Sequence, residues 1–294
     1  MTGAEPTAGV ISRLERFAAV GSTNDIVRRW LAEGEPEVCV AVADRQTAGR
    51  GRAGRAWAAP SGAALLLSCG FRPSWLAADR VWRLAAVVSL AMCDAAEEVA
   101  GLPEGAVRLK WPNDLVVEMA GPHALLTGIA SAEEASARLA SPLELRKVAG
   151  VLGESTGLGA GDPQVVVGIG VNADWPAREF PPDLAGTMTS LREASAGRPI
   201  DRDALLEAFL GFLETRLGAL RAAYFDLQTW TARQVLTGRQ VRLAGPPGAD
   251  LVDWLVEGVD GASGALVATP SDGGETRLLH AGEVVRVRLA PGAV

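Results

Sequence analysis

The residues best suited to chemistry lie between Gln46 and Trp57, Q-T-A-G-R-G-R-A-G-R-A-W. Gly49, Gly51 and Gly54 alternate there with Arg50, Arg52 and Arg55, and Trp57 closes the run. The stretch has no apolar period, so it is neither a buried strand nor the core face of a helix. Glycine lets a backbone turn and approach a ligand closely. Each guanidinium offers a planar fork of donors matched to carboxylate or phosphate oxygens. The chemistry on offer is a loop closing over a small anion; a solvated surface loop carrying charge for solubility is the alternative, and the run alone leaves both open.

A second signal comes from lysine usage. Of 28 basic residues only Lys110 and Lys147 are lysine, so an arginine bias has spared two compact ammonium groups, which differ physically from a planar fork. Both sit in motif-like stretches, K-W-P-N-D at Lys110–Asp114 and K-V-A-G-V-L-G-E at Lys147–Glu154. Ser22, Thr23 and Asn24 offer three small donors and acceptors, either as a helix cap or as contacts to a polar ligand head. Gly168, Gly170 and Asn172 end the run Q-V-V-V-G-I-G-V-N; a lone G-x-G also marks bulges or close packing. Without a third glycine and a following helix it is no dinucleotide fingerprint, and no G-x-x-x-x-G-K-[ST] loop exists.

The elements that must position these groups are readable in outline. The first part of Arg16–Asn24 suggests a short strand and Asp25–Glu33 a helix. Val38–Asp44 and Ala63–Phe71 read as buried strands on either side of the Gly/Arg loop. Asp79–Val99 carries Val81, Leu84, Val88 and Met92 at helical spacing. Val107–Asp114 is a strand ending in a Pro-Asn-Asp turn; Leu115–Glu118 and Lys147–Glu154 read as a hairpin-like return, and Gln164–Asn172 as another buried strand. Met119–Arg146 is longer than the connections usual in a compact domain and reads as an insertion. Pro181–Ser195 reads as a loop, and Asp201 caps a helix reaching Phe225, with Leu206, Phe209, Leu213, Leu217 and Leu220 on one stripe. From Gln234 onward short apolar runs alternate with Gly-rich turns, the pattern of a small SH3-like β-barrel. The expected organisation is a frayed terminus at 1–13, a main domain at 14–233 and a β module at 234–294.

Composition narrows the classes. With 48% hydrophobic and 21% charged residues the chain reads as globular, and a formal charge of −7 makes it no general polyanion binder. The first twenty residues lack a basic start followed by an apolar core, and the run Leu84–Cys93 is too short to span a membrane. Cys39, Cys69 and Cys93 are odd in number and embedded in apolar runs, as in a reduced, cytoplasmic protein. His123 and His280 stand apart, which argues against zinc and leaves any metal ligands unknown.

Taken in order, Gln46 with G-R-G-R-x-G-R-x-W, then K-W-P-N-D, K-x-A-G-x-L-x-E and G-x-G-x-N, preceded by S-T-N, resemble the biotin protein ligase (biotin–acetyl-CoA-carboxylase ligase) family. The likeness is to its monofunctional type, since no DNA-binding helix-turn-helix pattern precedes the main domain. The resemblance implies an α+β fold: a mixed sheet with helices packed on it, class II synthetase-like, plus a small SH3-like β-barrel. It implies a biotin–[biotin carboxyl-carrier protein] ligase: biotin and ATP give biotinyl-5'-AMP and pyrophosphate, with Mg²⁺, and biotin then passes to a lysine of an acyl-CoA carboxylase carrier domain. By the same resemblance Lys110 and Arg52 are catalytic, and Ser22, Thr23, Asn24, Gln46, Arg50, Gly51, Arg52, Lys110 and Gly150 meet biotin. Gly49, Arg50, Arg52, Gly54, Arg55, Trp57, Lys110, Asn113 and Asn172 would meet ATP or the adenylate. It implies no DNA and no membrane partner, and leaves monomer and homodimer open.

Two rivals stay in view. A lipoate or other acyl-adenylating ligase of the same fold would use the same adenylation chemistry on another acid. A non-catalytic Arg-Gly nucleic-acid binder would want a broad basic surface interleaved with aromatics, against which the negative charge and the single tyrosine speak.

Overall fold

A computed structural model of the protein describes residues 9–118, 144–159, 161–244, 251–280 and 282–289. Most of the expected insertion, 119–143, and the first eight residues lie outside these. The larger sheet contains β1 (Arg13–Phe17), β2 (Cys39–Ala43), β3 (Ala64–Phe71), β4 (Val107–Lys110), β5 (Asp114–Glu118), β6 (Leu145–Thr156) and β7 (Gln164–Asn172). Its strand order is β1-β2-β3-β7-β6-β5-β4; β1 and β2 run parallel and all other pairs antiparallel. The helices are α1 (Thr23–Ala32), α2 (Trp82–Ala100), a short α3 (Leu191–Ala194), α4 (Arg202–Arg221) and α5 (Leu227–Ala232). This is the mixed α+β fold expected.

Alternation along the strands decides what each face does. Leu65, Leu67, Cys69 and Phe71 of β3 and Val165, Val167, Ile169 and Val171 of β7 join one buried cluster with α2 and α4. The α4 stripe is the expected one, and the Asp201 carboxylate accepts from the Asp203 and Ala204 amides at 2.8 and 3.2 Å. The opposite face is covered only in part. There α1 packs through Val27, Trp30 and Leu31 on Cys39, Ala41 and Val166, at one end of the sheet. The remainder of that face carries Ser68, Gly168, Gly170 and Gly150.

The second sheet has five strands, β8 (Arg239–Ala244), β9 (Val252–Val259), β10 (Leu266–Pro270), β11 (Arg277–Leu279) and β12 (Glu283–Leu289), in the antiparallel order β11-β10-β9-β8-β12. It is compatible with the SH3-like module expected. Strand β11 went unanticipated, because three residues carry no readable period. The insertion also ends two residues earlier than expected, since Leu145 and Arg146 already belong to β6. Within the expected loop 181–195, α3 forms with Ser190 Oγ accepting from the Glu193 amide.

The two sheets share packing. Trp111 of the β4–β5 turn and Val116 of β5 sit in one cluster with Val241, Trp254, Val256 and Leu266. The connecting residues are stitched to the edge of β4: the Leu109 amide donates to the Arg233 carbonyl and the Val235 amide to Leu109, both at 2.8 Å. Behind β4 the Arg233 guanidinium is buried against both Glu97 oxygens (2.7 and 2.9 Å), Asp94 (2.9 Å) and the Val107 carbonyl (2.8 Å). Burial alone would lower the Arg233 pKa, yet the hydrogen bonds and charge of Glu97 leave it raised. Removing one partner of such a pair strands a buried charge. Glu97→Ala is therefore expected to cost about 3–5 kcal/mol in urea-induced unfolding, whereas an exposed pair such as Arg242–Asp253 should cost under about 1 kcal/mol when broken.

Candidate active site

Three features converge on the open face. The first is a polar corner at the start of α1. Ser22 holds the N-cap position, but its side chain makes no capping hydrogen bond. Gln46 does that work instead: its Oε1 accepts from the Thr23 amide at 2.7 Å and from Thr23 Oγ1 at 3.1 Å. Ser68, wholly buried in β3, places its Oγ 2.7 Å from Thr23 Oγ1 and 2.6 Å from Asn24 Oδ1. Asn24 Oδ1 only accepts, so it takes the Ser68 proton, and Asn24 Nδ2 donates to Glu154 Oε2 at 2.6 Å. Asn24 lies flat on β7 because residue 168 is glycine; a Cβ there would stand 2.1 Å from Asn24 Oδ1.

The second feature is a floor without side chains. Gly150 of β6 and Gly170 of β7 are cross-strand partners, and the Trp57 indole rests on both. A Cβ on Gly170 would meet the ring at 2.5 Å, and one on Gly150 at 3.0 Å. Trp57 Nε1 is buried there with no hydrogen-bond partner. The Gly/Arg run that carries Trp57 is itself folded: Arg50 and Ala56 form a bridge, the Gly51 amide donates to the Arg55 carbonyl at 2.7 Å and the Trp57 amide to Gly49 at 2.9 Å. Gly54 has a positive φ of 73°, and Gly49 has no space for a Cβ beneath the Trp57 carbonyl.

The third feature is cationic. Lys147 Nζ lies 5.3 Å from the Trp57 ring centroid and 2.6 Å from Asp114 Oδ1. Strict alternation would put Lys147 and Gly150 on opposite faces of β6. A bulge between the Leu115–Ala149 and Val116–Lys147 pairs brings both beneath Trp57. Lys110, expected to hold the reacting acid, ends β4 and donates to the Val284 carbonyl of β12 at 3.2 Å. Asn113 joins the Pro-Asn-Asp turn to β6, donating from Nδ2 to the Val151 carbonyl at 3.1 Å, and its Oδ1 accepts from Arg52 at 3.4 Å. Arg50 instead forks onto Asp25, 2.8 Å from each nitrogen. That fork is the main reason the Asp25 carboxyl lies below its usual range and the Arg50 pKa above its own. Arg55 Nε donates to the Arg52 carbonyl at 3.3 Å. Asn172 is buried and donates to the Thr189 carbonyl at 2.9 Å. Among the described residues no group of three His, Cys, Asp or Glu side chains could hold a metal ion.

Along β7 the order is Asn24 over Gly168, Trp57 over Gly170, then Lys147 beyond Gly150 on β6, with about 7 Å between same-face positions of a strand. Such a line accepts an elongated molecule with a polar head, a slim apolar middle and an anionic tail. Sequence reasoning missed Ser68, hidden in an apolar run, and gave Lys147 and Glu154 no role although both stand in the quoted motif. Lysine economy was the signal available for Lys147.

The model of the biotin/lipoate A/B protein ligase family matches residues 17–172. A biotin–[acetyl-CoA-carboxylase] ligase of Mycobacterium tuberculosis is 30% identical over 278 residues, covering 94% of this chain and 90% of the relative. The chain belongs to the biotin/lipoate A/B protein ligase family. A second member, from Paracoccus denitrificans and of the same name, is 30% identical over 257 residues, covering 85% of this chain and 92% of its own. The crystal structure of the family's Aquifex aeolicus biotin protein ligase, in complex with biotin and ATP, superposes with a TM-score of 0.69 at 25% identity, covering 93% of this chain and 98% of that one. No described helix is long and apolar enough to cross a membrane.

The glycine floor gives a direct test. Gly170→Ala is expected to push Trp57 off the sheet and loosen residues 49–57, seen as faster amide hydrogen exchange in that segment with the unfolding midpoint lowered only slightly.

Proposed function

We propose that this protein is a biotin protein ligase. The reading is carried by one observation: polar corner, glycine floor and Lys147 ammonium lie in a single line on the open face. Biotin has that sequence of parts, a ureido ring, an aliphatic chain and a carboxylate. The corner of Thr23, Asn24, Ser68 and Gln46 supplies donors and acceptors for the ureido group; the dithiolane of lipoate has no N–H or C=O to use them. The chain enters by lifting Trp57 from the two glycines, and the indole then covers it. The carboxylate reaches Lys147 and Arg52.

In the first step a biotin carboxylate oxygen bonds to the α-phosphorus of ATP, and pyrophosphate leaves. Two anions must meet, so the groups that matter are cations placed before the charge develops. Lys147 sits at the end of the floor for the carboxylate and α-phosphate, with Arg52 opposite on the flap and Arg55 beside it. In the second step a carrier lysine amine attacks the acyl carbon and AMP leaves. The flap residues 49–57 keep water from the acyl-adenylate meanwhile. Asn172 and the adjoining Thr189 segment lie beyond the floor, where the adenosine would extend. Among the described residues no carboxylate cluster is set up for a resident metal, and Asp114, Asp25 and Glu154 are each already paired with a cation, so a magnesium ion would come with ATP as part of that substrate. Lys110, tied to Val284, would hold the smaller sheet against the site. The carrier is the biotin domain of an acyl-CoA carboxylase, residues 14–233 form the catalytic part and 234–294 the accessory β module, and the working compartment is the cytoplasm.

ATP–pyrophosphate exchange with biotin, lipoate or octanoate supplied in turn tests the substrate. Exchange is expected with biotin alone, and exchange with lipoate alone would overturn the assignment. Lys147→Ala is expected to reduce biotin-dependent exchange by about 10²-fold or more with the fold intact by circular dichroism. Lys110→Ala is the paired measurement: a larger loss there would return the reacting acid to Lys110. Arg52→Gly is expected to let adenylate escape, seen as biotin on bystander proteins; unchanged labelling selectivity would remove Arg52 from that role.

A further inference from the structure

Arg50 belongs to a flap read as phosphate-binding, yet its guanidinium is engaged elsewhere. Both terminal nitrogens lie 2.8 Å from Asp25, one on each carboxylate oxygen, and one lies 3.7 Å from Glu154. Arg28, one turn along α1, also donates to Asp25 and to Glu154, at 2.8 and 2.9 Å. Glu154 in turn accepts from Asn24 in the polar corner. The net thus joins three separate pieces of chain: the start of α1, the far end of β6 and the first arginine of the flap. A bidentate fork fixes the orientation of a guanidinium as well as its position. Among the described residues the flap also touches the rest of the protein through Trp57 on the glycine floor and through the longer Arg52–Asn113 bond of 3.4 Å. At the end where Arg50 sits, the Thr47 and Ala48 amides donate to the Val20 and Gly21 carbonyls at 2.9 and 2.8 Å, which ties the backbone leading in, and the Asp25 fork fixes the first side chain beyond it.

We infer that Asp25 is a positioning residue of the active site, holding Arg50 as the anchor of the flap and leaving Arg52 and Arg55 to face the phosphates. It does not touch substrate. It acts by setting the flap's register over the floor before ligands arrive, with Glu154 as second acceptor. Because the pair is partly exposed, with side-chain exposures of 38% and 45%, the anchor is weak enough for the flap to open and let substrates in. The inference rests on the ligase reading for its consequence in catalysis, but the anchoring itself can be measured without any substrate.

The flap carries three arginines, so trypsin reports on its opening. In the native full-length protein, Asp25→Asn is expected to speed cleavage after Arg52 and Arg55 by about 1.5- to fivefold, the span of an exposed charged pair, with the unfolding midpoint nearly unchanged. Arg50→Gln should do the same, and the double variant no more than either alone. The exchanged pair Asp25→Arg with Arg50→Asp should recover much of the protection. Equal cleavage in wild type and Asp25→Asn, or additive effects in the double variant, would overturn the inference. In catalysis, Asp25→Asn should raise the KM for biotin and the escape of adenylate more than it lowers kcat, a split that general destabilisation does not produce. Should the wild type show no biotin-dependent exchange while the tryptic pattern holds, the ligase reading fails and the anchor stands. Should exchange be normal and the tryptic pattern flat, only the anchor fails.

Discussion

The site depends on one steric constraint: two adjacent strands must lack side chains at the same level. Gly150 and Gly170 face each other across β6 and β7, and only their missing Cβ atoms let the Trp57 ring reach the backbone. Any other residue at Gly170 would hold the indole off the sheet and leave the flap without its seat. Gly168, two residues earlier on the same strand, performs the corresponding service for Asn24. A strand interior normally loses stability through glycine. Here the opposite faces of β6 and β7 offset the loss, because Ala149, Val151, Val167, Ile169 and Val171 pack into the main cluster with α2 and α4.

The same division explains how much could be read from the residues alone. Core strands and the α4 stripe follow from period and composition, so β2, β3, β7 and the capped start of α4 appear within a residue or two of their expected limits. The Gly/Arg run stands out because its spacing matches neither a strand nor a helix face, although by itself it leaves a ligand loop and a solvated loop both open. What eluded the sequence is whatever tertiary geometry decides. A bulge carries no compositional mark, and without it Lys147 would point away from Gly150. Ser68 looks like one more member of an apolar strand, and its partners come from α1. The cap of α1 is supplied by Gln46, twenty-three residues from the amide it accepts from, although Ser22 occupies the expected position. Arg50 and Arg52 are indistinguishable in the motif and part company only when one meets Asp25 and the other Asn113.

Charge is used in two ways, and the difference follows from burial. Behind β4, Arg233 with Glu97 and Asp94 is buried and hydrogen-bonded through both terminal nitrogens, so releasing a partner is costly. That arrangement suits a part that must not move, and it supports the strand leading into the Pro-Asn-Asp turn. At the flap, Arg50 and Asp25 remain partly in water, where screening keeps a pair's worth to a fraction of a kcal/mol up to about 1. That suits the opening inferred for the flap. Had the flap been anchored by a buried network like that of Arg233, substrate entry would have to supply several kcal/mol for each opening. An apolar anchor alone would leave the direction of the fork unspecified. An exposed bidentate pair meets both demands at once, which is why the guanidinium, with its two parallel donors, is the fitting group at position 50.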